Sequence, residues 1–169
     1  SGVVSSVNYK GRALGIHAGM PIIQAKKCAP ASESIYLPAD RGYYGAVSQA
    51  IDAILRPSAD KVVQASIDEW NCEDKEAAAK AQGIKEAILK GSGLTCSVGV
   101  APSLLGAKMA ASKCKPDGVL ILGAPEEKKM IDESSVEKVP GIGPKTAEAL
   151  SQIGIMRVKD IAKADPVVL

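Results

Sequence analysis

Phenylalanine is absent from this 169-residue chain, and aromatic residues of every kind make up only 3% of it. A core built without them must rest on Ile, Val, Leu and Ala, which the 46% hydrophobic content supplies. Acidic residues are missing from the opening: Glu33 is the first, whereas Lys10, Arg12, Lys26 and Lys27 precede it. Net charge is only +2 and selects no partner by itself. An acid-free basic opening suits an anionic ligand, with a solvated surface as the alternative. There is one histidine, His17, and the four cysteines (Cys28, Cys72, Cys96, Cys114) include no C-x-x-C pair. That pattern gives neither a zinc site nor a disulfide framework, so four reduced thiols in an intracellular protein are expected. No apolar run is long enough to span a bilayer, so no membrane partner is expected. P-loop and dinucleotide fingerprints are lacking too, which argues against a metabolic nucleotide-binding protein.

What is present falls into four parts. Residues 1–38 mix short apolar runs with Gly, Pro and basic residues, as a small irregular subdomain would. From Asp40 the spacing of Tyr44, Val47, Ile51 and Ile54 predicts a helix, stopped by Pro57. Lys61 to Glu69 reads as a strand, with a turn at "NCED" after Trp70. Ala77, Ala81, Ile84 and Ile88 predict a second helix with Gly91 as its C-cap. Leu94 to Ala101 reads as a strand, and Ser103 caps a third helix through Ser112. "KPDG" at 115–118 is a turn before a short strand, Val119 to Leu122, and residues from Pro125 onward are helical and Lys-rich.

Four stretches carry candidate chemistry. In "VPGIGPKTAEAL", Gly141, Ile142 and Gly143 form a tight turn, and Pro144 fits the first position of the following helix. The unpaired amides of that helix start, with Lys145 beside them, suit a nucleic-acid phosphate; a packing corner between helices is the alternative. In "SVNYKGRALG", Tyr9 and Arg12 are three apart, so a phenol and a guanidinium can point the same way, as a phosphate grip or as a surface pair. Lys108 lies among Leu104, Ala107 and Ala111, free either to reach a phosphate or to snorkel. Asp68 and Glu69 in "ASIDEW" are adjacent carboxylates at a strand end. They suit a hard divalent ion if the chain bends there, and a solvated end otherwise. Trp70 beside them is either a packing lid or a stacking platform.

These four stretches, "NYKGRALGIHAGMPIIQAKKCAP", "ASIDEW", "SVGVAPSLLGAKMAASKCKPDG" and "VPGIGPKTAEAL", occur in this order in the Y-family (lesion-bypass) DNA polymerases, which the chain resembles, most of all their DinB branch. The resemblance implies an α+β fold: a polymerase palm, with a ferredoxin-like antiparallel sheet and helices on one face, plus small fingers and a helical thumb. It implies fingers at 1–38, palm at 39–116, and a thumb with a helix-hairpin-helix at 117–169. It implies template-directed DNA synthesis with two Mg²⁺ ions, held by Asp68 and Glu69 as catalytic carboxylates. Ser6, Tyr9, Arg12 and Lys108 would grip the triphosphate, and Gly141, Ile142, Gly143 and Lys145 the DNA backbone. Implied partners are primer-template DNA, deoxynucleoside triphosphates and a sliding clamp reached through C-terminal regions. The place of work would be the nucleoid of a prokaryote or the nucleus of a eukaryote.

The sequence departs from that pattern in places. The family carries another metal-binding aspartate and an aromatic ribonucleotide gate on a strand expected before Ser1, and a little-finger domain expected after Leu169. Asn71-Cys72 replaces the usual Tyr-Leu, and Ser103-Leu104 replaces Asn-Lys. The 169 residues alone are therefore expected to extend primers weakly or not at all. The alternative is a non-catalytic DNA-binding remnant that keeps only the hairpin.

Overall fold

A computed structural model describes residues 2–165, which divide after Tyr43 into two compact units. The first is small. Val4, Ile16, Met20, Ala25 and Ala29 form its buried core, with Val7, Ile22 and Cys28 packed against them. Two short helices frame that core, α1 (Tyr9–Ala13) and α2 (Ile22–Cys28). Asn8 starts α1 by accepting a bond from Gly11 N at 2.9 Å through its side-chain oxygen. The segment after α1 folds back on the opening residues, where Val4 N donates to Met20 O and Gly19 N to Val4 O.

The helix predicted from Asp40 is α3 (Arg41–Leu55), and Pro57 lies in the 3₁₀ turn that ends it. Asp40 Oδ1 accepts from Tyr43 N and fixes the first turn. In the second unit the expected strand from Lys61 to Glu69 stops early. It is β1 (Lys61–Ser66), which turns at Ile67 and Asp68 and returns as β2 (Glu69–Glu73), so "NCE" is strand rather than turn. The pairing is antiparallel with Gln64 opposite Trp70. An irregularity at Ala65 precedes the last rung, Ser66 opposite Glu69.

The remaining helices lie near their predicted places. α4 (Ala77–Ser92) buries Ala81 and Ile88. Its left-handed cap is Gly93, at φ 73°, rather than Gly91. Gly91 serves packing instead: a Cβ there would sit 2.6 Å from Ile54 Cδ1 of α3. The strand predicted over Leu94–Ala101 shrinks to β3 (Val98–Val100), and β4 (Val119–Ile121) follows α5 (Leu104–Lys113). Ser103 caps α5 as expected, its side chain accepting from Gly106 N.

The class is α+β as expected, but among the described residues the strands form two ladders rather than one antiparallel sheet. β1 pairs β2, while β3 pairs β4 in parallel. Parallel pairing follows from connectivity, since α5 crosses over between β3 and β4. The crossing is close. A Cβ at Gly99 would meet Ala107 O at 2.1 Å and Ala111 N at 2.3 Å, so α5 rests directly on the β3 backbone.

After β4, α6 (Ala124–Glu133) places the buried Glu127 under the start of α5, where it accepts from Ser103 N at 2.9 Å. α7 (Pro144–Gln152) and α8 (Val158–Ile161) complete the unit. Buried Val136 and Ile155 pack that end, and Val136 N donates to Met156 O. No described helix is long and apolar enough to cross a membrane.

Candidate active site

The β1–β2 turn decides where the paired acids point. Asp68 occupies the turn itself and is exposed; Ser66 Oγ donates to its Oδ1 at 2.9 Å. Glu69 begins β2 and Trp70 follows, so their side chains leave opposite faces of the hairpin. Glu69 meets α5: Lys108 Nζ lies 2.7 Å from its Oε1. Trp70 meets α3, where its indole N–H donates to Asp52 Oδ1 at 3.1 Å. The tryptophan is thus a half-buried packing residue with its polar edge satisfied, not an open stacking platform.

Met109 and Ala110 carry the buried face of α5, while Lys108 stands on the exposed one. Its side chain is 42% exposed and that of Glu69 40%, so the pair is solvent-screened and weak, worth roughly 0–1 kcal/mol. A weak pair can exchange partners. A carboxylate and an ammonium that hold each other loosely are available to a cation and to a phosphate.

In the first unit Tyr9 and Arg12 do come together. The guanidinium carbon of Arg12 is 5.9 Å from the Tyr9 ring centre, and Arg12 Nε donates to Val7 O at 3.1 Å. Both side chains are exposed, as is Ser6 in the segment before α1. Anchoring through Nε leaves the terminal guanidinium nitrogens as donors for an anion.

The C-terminal turn has the expected form with a shorter lead-in. A 3₁₀ turn, Val136–Lys138, replaces the first full helix, and Ile142 N donates to Val139 O at 3.0 Å. Gly141 sits at φ 96°, a left-handed conformation suited to glycine, and Pro144 is in the first turn of α7. Gly143 and Lys145 are exposed around that helix start, and Ile142 is half-buried beneath it.

Against known families, residues 1–112 match the impB/mucB/samB family. The chain belongs to that family. Residues 133–169 match the SAM-like helix-hairpin-helix tandem. Curated relatives include a DNA polymerase IV of Methanoculleus marisnigri, 42% identical across 97% of this chain and 47% of its own length. Another, from Saccharolobus solfataricus, is 37% identical across 95% of this chain and 47% of itself. Among solved structures, DinB from Sulfolobus solfataricus superposes with a TM-score of 0.89 at 36% identity, covering 98% of this chain and half of that one. An insertion ternary complex of Dbh DNA polymerase gives 0.88 at 37% identity, with the same coverage. The Y-family resemblance and its polymerase fold therefore hold. The chain spans about half the length of the relatives it matches.

Two side chains that position the site were missed in the sequence. Ser66 orients Asp68, and Asp52 holds Trp70. The only available signal was Asp52 four residues before Arg56, a helical ion-pair spacing, which the structure fills at 2.6 Å.

Whether the acids suit a metal can be tested on their donors. Asp68 and Glu69 offer hard carboxylate oxygens at an exposed tip, and Asp68 has a hydroxyl as its described partner, leaving coordination capacity. No group of three or more His, Cys, Asp or Glu is gathered for a metal among the described residues. Two carboxylates fit a Mg²⁺-like ion that completes its shell with water and substrate phosphates.

Proposed function

We propose that this chain is the fingers, palm and thumb portion of a template-directed DNA polymerase of the translesion class. The observation that carries this is the meeting of Glu69 with Lys108, a carboxylate from the hairpin tip and a cation from α5 beside the exposed Asp68. Phosphoryl transfer calls for such a set. Its demands are charge neutralisation and in-line placement, not a side-chain nucleophile.

Asp68 and Glu69 would hold two Mg²⁺ ions, which when bound lower the pKa of the primer 3′-hydroxyl and neutralise the triphosphate. The primer oxygen bonds to the α-phosphorus as the bond to pyrophosphate breaks. Lys108 would exchange Glu69 for a phosphate oxygen, where its ammonium would offset phosphate charge and leave the Glu69 carboxylate free to hold an ion. Tyr9 and Arg12, with Ser6 nearby in sequence, are exposed groups of the first unit that would suit a phosphate. The turn at Gly141, Ile142 and Gly143, with Lys145, binds one DNA phosphate through backbone amides, which positions DNA without reading its sequence.

Calorimetric titration of a deoxynucleoside triphosphate into the chain, with and without Mg²⁺, tests the reading. Binding that needs the metal and disappears in Asp68→Ala supports it. DNA affinity without metal-dependent nucleotide binding would leave only a DNA-binding remnant.

A further inference from the structure

The hairpin that carries the acids is bolted to α3 at one rung. Gln64 and Trp70 are direct cross-strand partners, on the last regular pair before the irregularity at Ala65. Each reaches the same helix. Gln64 Nε2 donates to Ser48 Oγ at 2.8 Å, and Trp70 Nε1 donates to Asp52 Oδ1 at 3.1 Å. Ser48 and Asp52 are four residues apart, so they stack on one face of α3 and match the two strands of the rung.

Neither anchor is a loose surface contact. Ser48 is 5% exposed, and the Asp52 side chain is 18% exposed. Asp52 is itself held by Arg56, whose Nε and Nη2 donate to Oδ2 at 2.6 Å and Oδ1 at 3.2 Å. A forked guanidinium fixes the carboxylate plane, which fixes where the indole N–H must lie. Beyond this rung the hairpin has one further pair, Ser66 with Glu69, and then the turn bearing Asp68. A two-stranded hairpin is marginal by itself, so the tip takes its position from this attachment.

We infer that Asp52 is a positioning residue for the acidic tip, acting through Trp70 and oriented by Arg56. It touches neither substrate nor metal. It sets the carboxylates of Asp68 and Glu69 in register, as outer partners of metal ligands do in other metalloproteins. This rests on the metal-site reading above and names the device that makes that site rigid.

The chain contains a single tryptophan, Trp70, so its emission reports this anchor directly. The test is a Mn²⁺ titration of the purified 169-residue chain, with free Mn²⁺ followed by its paramagnetic resonance signal and Trp70 emission read in parallel. Asp52→Ala is expected to weaken Mn²⁺ binding about tenfold and to shift Trp70 emission to the red. Trp70→Phe, which keeps the ring and removes the donor, should weaken Mn²⁺ binding to a similar extent. Asp52→Asn keeps an oxygen for the indole and should retain affinity within about threefold of the parent. Circular dichroism confirms that each variant is folded, and Trp70→Phe and Asp52→Asn carry the test should Asp52→Ala fail to fold.

If Asp68→Ala abolishes Mn²⁺ binding while folded Asp52→Ala and Trp70→Phe bind like the parent, the positioning role is wrong and the metal site stands. If the parent chain does not bind Mn²⁺, or Asp68→Ala binds it unchanged, the metal-site reading fails and the positioning role with it.

Discussion

Lys108 Nζ stands 2.7 Å from Glu69 Oε1, joining the cation of α5 to the second acid of the hairpin. In the absence of ligands each neutralises the other. Under the proposed function this contact would oppose metal binding and would give way to a triphosphate oxygen.

Lys108→Ala should therefore change two affinities in opposite directions. Removing an exposed ammonium frees Glu69, so Mn²⁺ should bind the bare chain about two- to fivefold more tightly. Triphosphate binding in the presence of metal should weaken, because a phosphate donor is lost. Paramagnetic resonance measures the first and calorimetry the second. A parallel loss of both would mean that Lys108 merely supports the fold.

Gly99→Ala should destabilise the chain by roughly 1–3 kcal/mol, since a Cβ would meet the backbone of Ala107 and Ala111 and force α5 off β3. Thermal unfolding followed by circular dichroism gives the value. No loss of stability would contradict the close crossing.

Asp74 governs an acid-dependent contribution. Lys80 Nζ at 2.6 Å, then Glu76 N and Asp60 N, donate to its carboxylate and hold it below the usual carboxylate range. With the folded pKa depressed, the stabilisation is present above the unfolded value near 4 and is lost as pH falls through the lower, folded one. Asp74→Asn should thus be less stable than the parent at neutral pH, with the gap closing on acidification. Denaturant midpoints measured across that window check it; a constant gap would mean the charge is irrelevant.

Lys145→Ala should weaken binding to duplex DNA evenly across sequences. The slope of log affinity against log salt should become shallower by about one. Fluorescence anisotropy at several salt concentrations measures this. An unchanged slope would remove Lys145 from the phosphate contact.

Much of the fold was legible because its signals are local. The periodicity of Ala77, Ala81, Ile84 and Ile88, the cap at Ser103 and Pro144 in the first turn of α7 all act within a few residues. The hairpin tip was not legible. Its turn at Ile67-Asp68 lacks the Asn-Gly or Asp-Gly signature that marks two-residue turns, and Asn71 and Cys72 look like loop residues. Trp70 bonded to Asp52 shows one tertiary contact holding them in a strand. The parallel pairing of β3 with β4 is likewise non-local, and three-residue strands give too short a pattern to show it. At the site, residue types made Asp68, Glu69 and Lys108 candidates, but the contact of Glu69 with Lys108 and the bond from Ser66 to Asp68 are tertiary and turn features that no local pattern carries.

Crystals soaked in Mn²⁺ and a deoxynucleoside triphosphate, with anomalous scattering collected at the manganese edge, address the metal site most directly. The expected result is a peak within coordination distance of the carboxylates of Asp68 and Glu69, with Lys108 moved onto a phosphate. An ordered nucleotide with no peak at those carboxylates, or with Lys108 still paired to Glu69, would contradict the account.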